Sequence, residues 1–293
     1  MAKILLAIVL VLIAASALPD LARWRDFSWL RRWVEAWKKD VSRNRSGVPL
    51  IVIPLIVIVV CALIQGGLHG RLFELAAFAF AVVVFYYSWG PRELETDIES
   101  VFKAPDRERR IAAVQSLRPD PVEAPLPFSA AAIVEATFLS ALSRWFGVLF
   151  WFVLLGPVGA LGYRVLQVLG RSKAFRDELP EDDQTLFARI ALILDWAPAH
   201  LLALSLALVS NFDAVIRVWR SYHTASGKGY FTLDLGFLRE LARASVAADM
   251  AADEVDDRAD PLVELADART LLRRVLVTWL TVVGLLVLAG WVH

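Results

Sequence analysis

The apolar stretch from Trp145 to Gly170 constrains this chain more than any other feature. An α-helix rises about 1.5 Å per residue, so the stretch is long enough to cross a hydrocarbon core of about 30 Å. Its only charged residue is Arg164, near the far end, and Gly156-Pro157 interrupts its interior. We therefore predict a membrane helix here that lies in the lipid bilayer and is interrupted at Gly156-Pro157.

The composition indicates a protein that is part membrane and part water-facing. Hydrophobic residues make up 58% of the 293 residues, above the roughly 45–50% of soluble domains, yet 21% are charged. The 31 basic and 31 acidic side chains cancel, so no global field draws the chain to nucleic acid. Cys61 is the only cysteine, which excludes an intrachain disulfide.

Six apolar segments are candidate membrane helices, and the basic loops between them fall on one face, which the positive-inside rule assigns to the cytoplasm. They are residues 4–18, 48–65, 72–89, 145–170, 190–210 and 275–292. The sequence therefore predicts a multi-pass, all-α integral membrane protein with helical cytoplasmic loops. Two alternatives remain: four full spans with two partial helices, and cleavage of the first segment as a signal peptide.

The chain divides into six regions by this pattern. They are an N-terminal hydrophobic helix with a basic, Trp-rich amphipathic segment (1–47), a transmembrane hairpin (48–90), a soluble linker region (91–144), membrane helices with a polar seam (145–210), a soluble helical region (211–274) and a C-terminal transmembrane helix (275–293).

The segment after the first apolar helix alternates indoles with basic residues at helical spacing, as in a helix lying on a membrane surface. Indoles favour the headgroup zone and basic residues favour anionic lipid. The predicted surface residues are Trp24, Arg31, Arg32, Trp33 and Trp37. The alternative is a basic helix that covers the protein's own soluble part. No nucleic-acid-binding module accompanies the patch.

Polar side chains entering or interrupting the apolar helices are the candidate ligand-binding residues. They are Glu135, Arg144, Asp195, Trp196, His200, Tyr222 and His223. An acid inside a membrane span is costly and marks a functional site, whereas Asp195 would be a simple cap if its helix were broken at Pro198. No metal-ligand spacing, GxSxG elbow or P-loop occurs. We therefore predict no metal, no cofactor and no catalytic residue.

Several linked segments resemble the AmpE family, inner-membrane proteins grouped with the CobD/CbiB synthases of the cobalamin pathway. The resemblance covers nearly the whole chain. It includes the Trp- and Arg-rich segment, the helical hairpin, Phe150-Trp151 with Gly156-Pro157 and Tyr163, Leu194 to Pro198, and Tyr222-His223-Thr224.

The resemblance implies a regulatory or sensory role in the β-lactam response and cell-wall recycling, encoded beside a cell-wall amidase. The implied partners are the lipid bilayer and a cell-wall fragment or the cytoplasmic amidase. The synthase branch carries an acid-rich stretch before the Phe-Trp pair. Glu135 matches it, but Leu139, Ser140, Ser143 and Arg144 replace its later acid, Asn, Asp and Gly.

We therefore expect a regulator in place of an enzyme. Two alternatives stay open: a CbiB-like ATP-dependent amide ligase or transferase, and a transporter of cell-wall fragments, which broken helices would suit. His200 also replaces an Arg that is common in both branches.

Overall fold

The computed structural model is α-helical, and no strand occurs in the part of the chain it describes. The described residues are 2–17, 25–44, 49–68, 70, 73–90, 93–118, 124–176, 178–225, 227, 229–252 and 260–290. The all-α prediction is confirmed. One predicted membrane-surface residue, Trp24, lies outside the described residues.

Fourteen α-helices are defined within the described residues. In chain order they are α1 (Ala2–Ala17), α2 (Ser28–Asn44), α3 (Val52–Gly67), α4 (Glu74–Ser88), α5 (Leu94–Lys103), α6 (Arg107–Val114), α7 (Ala130–Ala141), α8 (Gly147–Leu155), α9 (Pro157–Arg171), α10 (Lys173–Arg176), α11 (Glu181–Val209), α12 (Phe212–Ala225), α13 (Gly236–Ala252) and α14 (Pro261–Leu288). One π-helical turn, Leu142–Phe146, joins α7 to α8.

Within the described residues, three continuous helical segments are long and apolar enough to cross a membrane, which identifies a membrane protein. They are Ala130–Leu155, Glu181–Val209 and Pro261–Leu288. Three shorter apolar helices, Ile4–Ala15, Val52–Gly67 and Glu74–Ser88, coincide with the first three predicted segments. The number of crossings stays a prediction.

The segment 145–170 is not one helix, which corrects the prediction. Helix α8 ends at Leu155, Gly156 has φ +68° and ψ −151°, and α9 begins at Pro157. This backbone conformation is essentially restricted to glycine, and proline at the first helical position starts a new helix. The apolar helix instead extends backwards to Ala130, inside the range assigned to the soluble linker.

By contact pattern the chain forms two compact units. Unit 1 comprises Met1–Pro91, Val148–Ala191 and Val287–His293, and unit 2 comprises Arg92–Gly147 and Leu192–Leu286.

In unit 1, the side chain of Gln65 caps both ends of the break at Gly156. Its Oε1 accepts a hydrogen bond from the Val158 N–H (3.1 Å), and its Nε2 donates to the Leu155 carbonyl (3.5 Å). The last carbonyls and first N–H groups of helices lack intrahelical partners. One amide side chain thus satisfies a group on each side of the break.

The break allows α9 to pack against α3 and α4. Gly162 lies against Ile58 of α3, where an added Cβ would stand 3.3 Å from its side chain. Arg164 is 4% exposed, and its Nε donates to the Ser88 carbonyl at the end of α4 (2.7 Å). The single charge of the opening apolar stretch is therefore buried against a backbone acceptor.

Helix α2 belongs to unit 1 and packs its apolar face on other residues of that unit. Phe27 precedes the helix and is buried, and Leu30 and Val34 are fully buried with Leu50 and Ile53. Trp29 donates its indole N–H to the Tyr87 hydroxyl (2.7 Å). The apolar face of the helix is therefore covered by other residues of its own unit.

The opposite face of α2 keeps its charges outward. Arg31, Arg32 and Trp33 are exposed, and Trp37 is half-buried. Their contact with lipid stays a prediction.

Helix α11 continues through Pro198 without a break, so Asp195 does not cap a second helix there. Asp195 is an interior residue of the helix and is fully buried. A proline removes one helical N–H, a loss that membrane helices tolerate. A ligand-binding role for Asp195 stays a prediction, beside a structural one.

We expect Gly156→Ala to destabilise the protein by about 1–3 kcal/mol, because alanine is strained in this backbone conformation. Gly66→Ala is the matched control, since its added methyl group meets nothing within 4 Å. Thermal unfolding in detergent should show a lower midpoint for the first variant and an unchanged or slightly higher one for the second. Equal unfolding midpoints for the two variants would contradict the prediction that alanine is strained at position 156.

Candidate functional site

Aromatic and imidazole rings from α11, α12, α13 and the loop before α13 meet in unit 2. We call these residues the ring cluster: Trp196, His200, Trp219, Tyr222, His223, Tyr230, Phe231 and Phe237. Its closest ring pairs are His223 with Tyr230 (centroids 4.3 Å apart), Trp196 with His200 (4.5 Å) and His200 with Phe237 (4.7 Å). Such contacts stabilise a fixed arrangement of ring faces.

His223 is held in one tautomer by partners on both ring nitrogens. Its Nδ1 lies 2.9 Å from the carbonyl of Gly229 and must donate to it, because a carbonyl only accepts. Its Nε2 accepts the indole N–H of Trp219 (3.0 Å). The ring is 4% exposed, and both of its nitrogens have a hydrogen-bond partner in this arrangement.

His200 carries a buried nitrogen. Its Nδ1 lies 2.7 Å from the Trp196 carbonyl and donates to it. Its Nε2 is buried and makes no hydrogen bond of normal geometry with the described residues. The backbone carbonyl of Tyr230 lies close enough to interact electrostatically with the imidazole ring. That carbonyl also accepts the indole N–H of Trp196 (3.3 Å). His200 is therefore the least satisfied polar group of the ring cluster.

Asp234 fastens the loop before α13 to α12. Its Oδ2 accepts the hydroxyl of Tyr222 (2.7 Å), and its Oδ1 accepts the N–H of Gly236 at the start of α13 (2.9 Å). A side chain at Gly236 would overlap the Tyr222 hydroxyl. This close approach positions the loop that carries Tyr230 and Phe231.

Burial raises the pKa of Tyr222 to about 12, and its hydrogen bond to the Asp234 carboxylate adds to the shift. The phenolate would lose its hydration and face a negative charge. The fastening of the loop therefore depends on a protonated Tyr222.

The other predicted residues make different contacts. Glu135 pairs with Arg243 of α13 (3.3 Å), with both side chains partly exposed. Arg144 lies in the π-helical turn and donates to Asp97 (2.6 Å) and to the Ser116 carbonyl (2.9 Å). Asp195 precedes Trp196 and therefore points about 100° away from it around the helix.

The structure thus brings together Trp196, His200, Tyr222 and His223, and it gives Glu135 and Arg144 partners on α13 and α5. Five residues of the site were not predicted from the sequence: Trp219, Tyr230, Phe231, Asp234 and Phe237. One signal could have revealed part of the site, because each of the two histidines of the ring cluster follows a tryptophan by four residues on a helix. Residues at this spacing share a helical face.

The ring cluster can bind by stacking and by a few directed hydrogen bonds. Phe231 is 87% exposed and stacks on Trp196 with an interplanar angle of 11°, and Tyr230 is 47% exposed. These are ring faces open to a ligand. Among the described residues, no three His, Cys, Asp or Glu side chains are placed to hold a metal ion.

We expect Arg144→Met to destabilise the protein by about 3–5 kcal/mol, because it leaves the Asp97 carboxylate buried without its cation. The pair is 11% and 1% exposed, whereas Arg243 and Glu135 are 40% and 25% exposed. Arg243→Met, the matched control, should cost about 0–1 kcal/mol. Denaturant unfolding in detergent measures both, and similar losses would contradict the difference in burial.

Alkaline titration should detect Tyr222 separately from the ordinary tyrosines. Its pKa is raised from 10.0 to about 12, so its contribution to stability is complete below pH 10 and is lost as the pH rises towards 12. Tyrosinate absorbance of the wild type should contain a late step that is absent in Tyr222→Phe. If the variant kept the late step, that step would have to come from a tyrosine other than Tyr222, which would contradict the prediction.

Comparison with known proteins gives one family and one relative. The model of the CobD/Cbib protein family matches residues 5–228. The cobalamin biosynthesis protein CobD of Stutzerimonas stutzeri (strain A1501) is 28% identical over 146 residues, which is 48% of each chain. The chain thus spans about half the length of this curated relative. No solved structure matches the chain. Because the family model matches well over half of its residues, the chain belongs to the CobD/CbiB family.

Proposed function

We propose that the chain is a regulatory inner-membrane protein of the AmpE type, which binds a cell-wall fragment at the ring cluster. The observation that carries the proposal is the wall of ring faces formed by Trp196, Phe231 and Tyr230 beside two oriented histidines. Sugar rings present flat C–H faces that stack on aromatic side chains, and their hydroxyl groups donate hydrogen bonds. The exposed ring of Phe231 is the face on which such a sugar would stack.

The contacts of Arg144 favour a regulator over a synthase. It stands where the resemblance places a Gly of the synthase stretch, and its guanidinium is held by Asp97 and the Ser116 carbonyl. A buried acid that neutralises an arginine is poorly suited to hold a metal nucleotide at the same time. Leu139 and Ser143 replace the later acid and the Asp of that stretch, so the carboxylates expected of a ligase are missing at these two positions.

A second candidate function, a CobD-type synthase, is favoured by family membership and by the name of the Stutzerimonas relative. In that case the ring cluster would bind an intermediate of cobalamin biosynthesis, and residues other than those of the π-helical turn would supply the chemistry.

Binding tests the regulatory proposal directly. Purified protein is titrated with a disaccharide-peptide fragment of peptidoglycan while its tryptophan fluorescence is recorded. Phe231→Ala should weaken binding about two- to twelvefold, because a stacked ring contributes about 0.5–1.5 kcal/mol. Phe212→Ala is the control, since Phe212 is exposed in the same unit and is not in the ring cluster. Equal loss in both variants, or no binding by the wild type, would contradict the proposal.

Genetics separates the two functions. Deletion of the gene should alter β-lactamase induction and cytoplasmic peptidoglycan-fragment levels, and the wild type should restore them where Phe231→Ala does not. The same gene should not rescue a strain that requires cobalamin because it lacks CobD. Rescue of that strain would establish the synthase function instead.

A further inference from the structure

An apolar groove in unit 1 lies between α2, α3, α4 and α9, apart from the ring cluster. It has a volume of about 260 Å³. Its lining includes Trp29 and Trp33 of α2, Ile56, Val60 and Ile64 of α3, and Phe80 of α4. Cys61 lies in the same wall and is buried. A groove lined this way offers a ligand little except apolar contact.

The groove has a direction, with the indoles at one end. Trp29 bonds to Tyr87 near the end of α4, and the core beneath α2 includes Leu50 and Ile53 at the start of α3. From Ile56 to Ile64 the lining runs along α3 for about 12 Å, at about 1.5 Å per residue. This length approaches the depth of one leaflet, which is about half of a hydrocarbon core of about 30 Å.

The end with the indoles is also the basic end. Arg31, Arg32 and Lys39 are exposed on α2, and Arg31 divides its charge between Glu35 (3.3 Å) and Glu178 (2.5 Å). Indoles prefer the headgroup level, and basic residues near the surface attract anionic headgroups. The apolar groove matches the acyl chain of an anionic phospholipid, and the basic residues at one end of the groove match its headgroup.

We propose that the groove binds one anionic phospholipid, with an acyl chain along α3 between Trp29 and Ile64 and the headgroup beside Arg32. The lipid would fill the gap between α2 and the hairpin of α3 and α4. Its occupancy would hold α2 on the membrane surface. This site is independent of the ligand proposed for the ring cluster.

Native mass spectrometry of protein released from nanodiscs tests the groove. Discs of phosphatidylglycerol should yield protein with one retained lipid, and discs of phosphatidylcholine should yield at least fivefold less. Val60→Trp, which fills the groove, should lose the retained lipid. Val59→Trp is the control, because Val59 is similarly exposed on α3 (46% against 49%) and does not line the groove. Equal retention by both variants would overturn the site.

A second measurement uses the wild type and so does not depend on the folding of a variant. Phosphatidylglycerol with a photoreactive group in its acyl chain should crosslink to Val60, Ile64 and Phe80 in preference to the exposed Val59 and Leu63. Even labelling of all these residues would mean ordinary annular lipid and would overturn the proposal. Arg32→Gln should reduce the preference for phosphatidylglycerol over phosphatidylcholine, and an unchanged preference would overturn the assignment of the headgroup.

Discussion

Unit 1 depends on the break at Gly156, where one helix ends and the next begins. Helix ends leave carbonyl and N–H groups without intrahelical partners, and burying such groups unpaired is costly. The break at Gly156 persists because Gln65 reaches it from α3 and bonds to both sides. With that cost offset, α9 packs along α3 and α4, and α2 covers the end of the same group of helices.

The buried charges of the two units follow the same rule of partnership. In unit 1 the guanidinium of Arg164 reaches the Ser88 carbonyl. In unit 2 that of Arg144 binds the Asp97 carboxylate. Each side chain would be too costly to bury alone. The π-helical turn carries Arg144, which stands where the resemblance places a Gly of the synthase stretch, and its contacts give this residue a structural explanation.

Part of the candidate site was predictable because helical spacing is regular. Trp196 with His200, and Trp219 with His223, are four residues apart, so each pair had to share a helical face once the helices were predicted. The convergence of the two pairs was not predictable. It depends on the packing of α12 with α13 and on the loop fastened by Asp234 to Tyr222, which brings Tyr230 and Phe231 to the same rings.

By itself, the sequence determined the all-α class, the positions of the first three apolar segments and the amphipathic character of α2, because composition and periodicity are local properties. Only the tertiary structure decided that residues 145–170 break at Gly156 and that α11 continues through Pro198. Glycine and proline permit a break in both places. Whether one forms depends on partners distant in sequence, such as Gln65, that satisfy the exposed backbone groups.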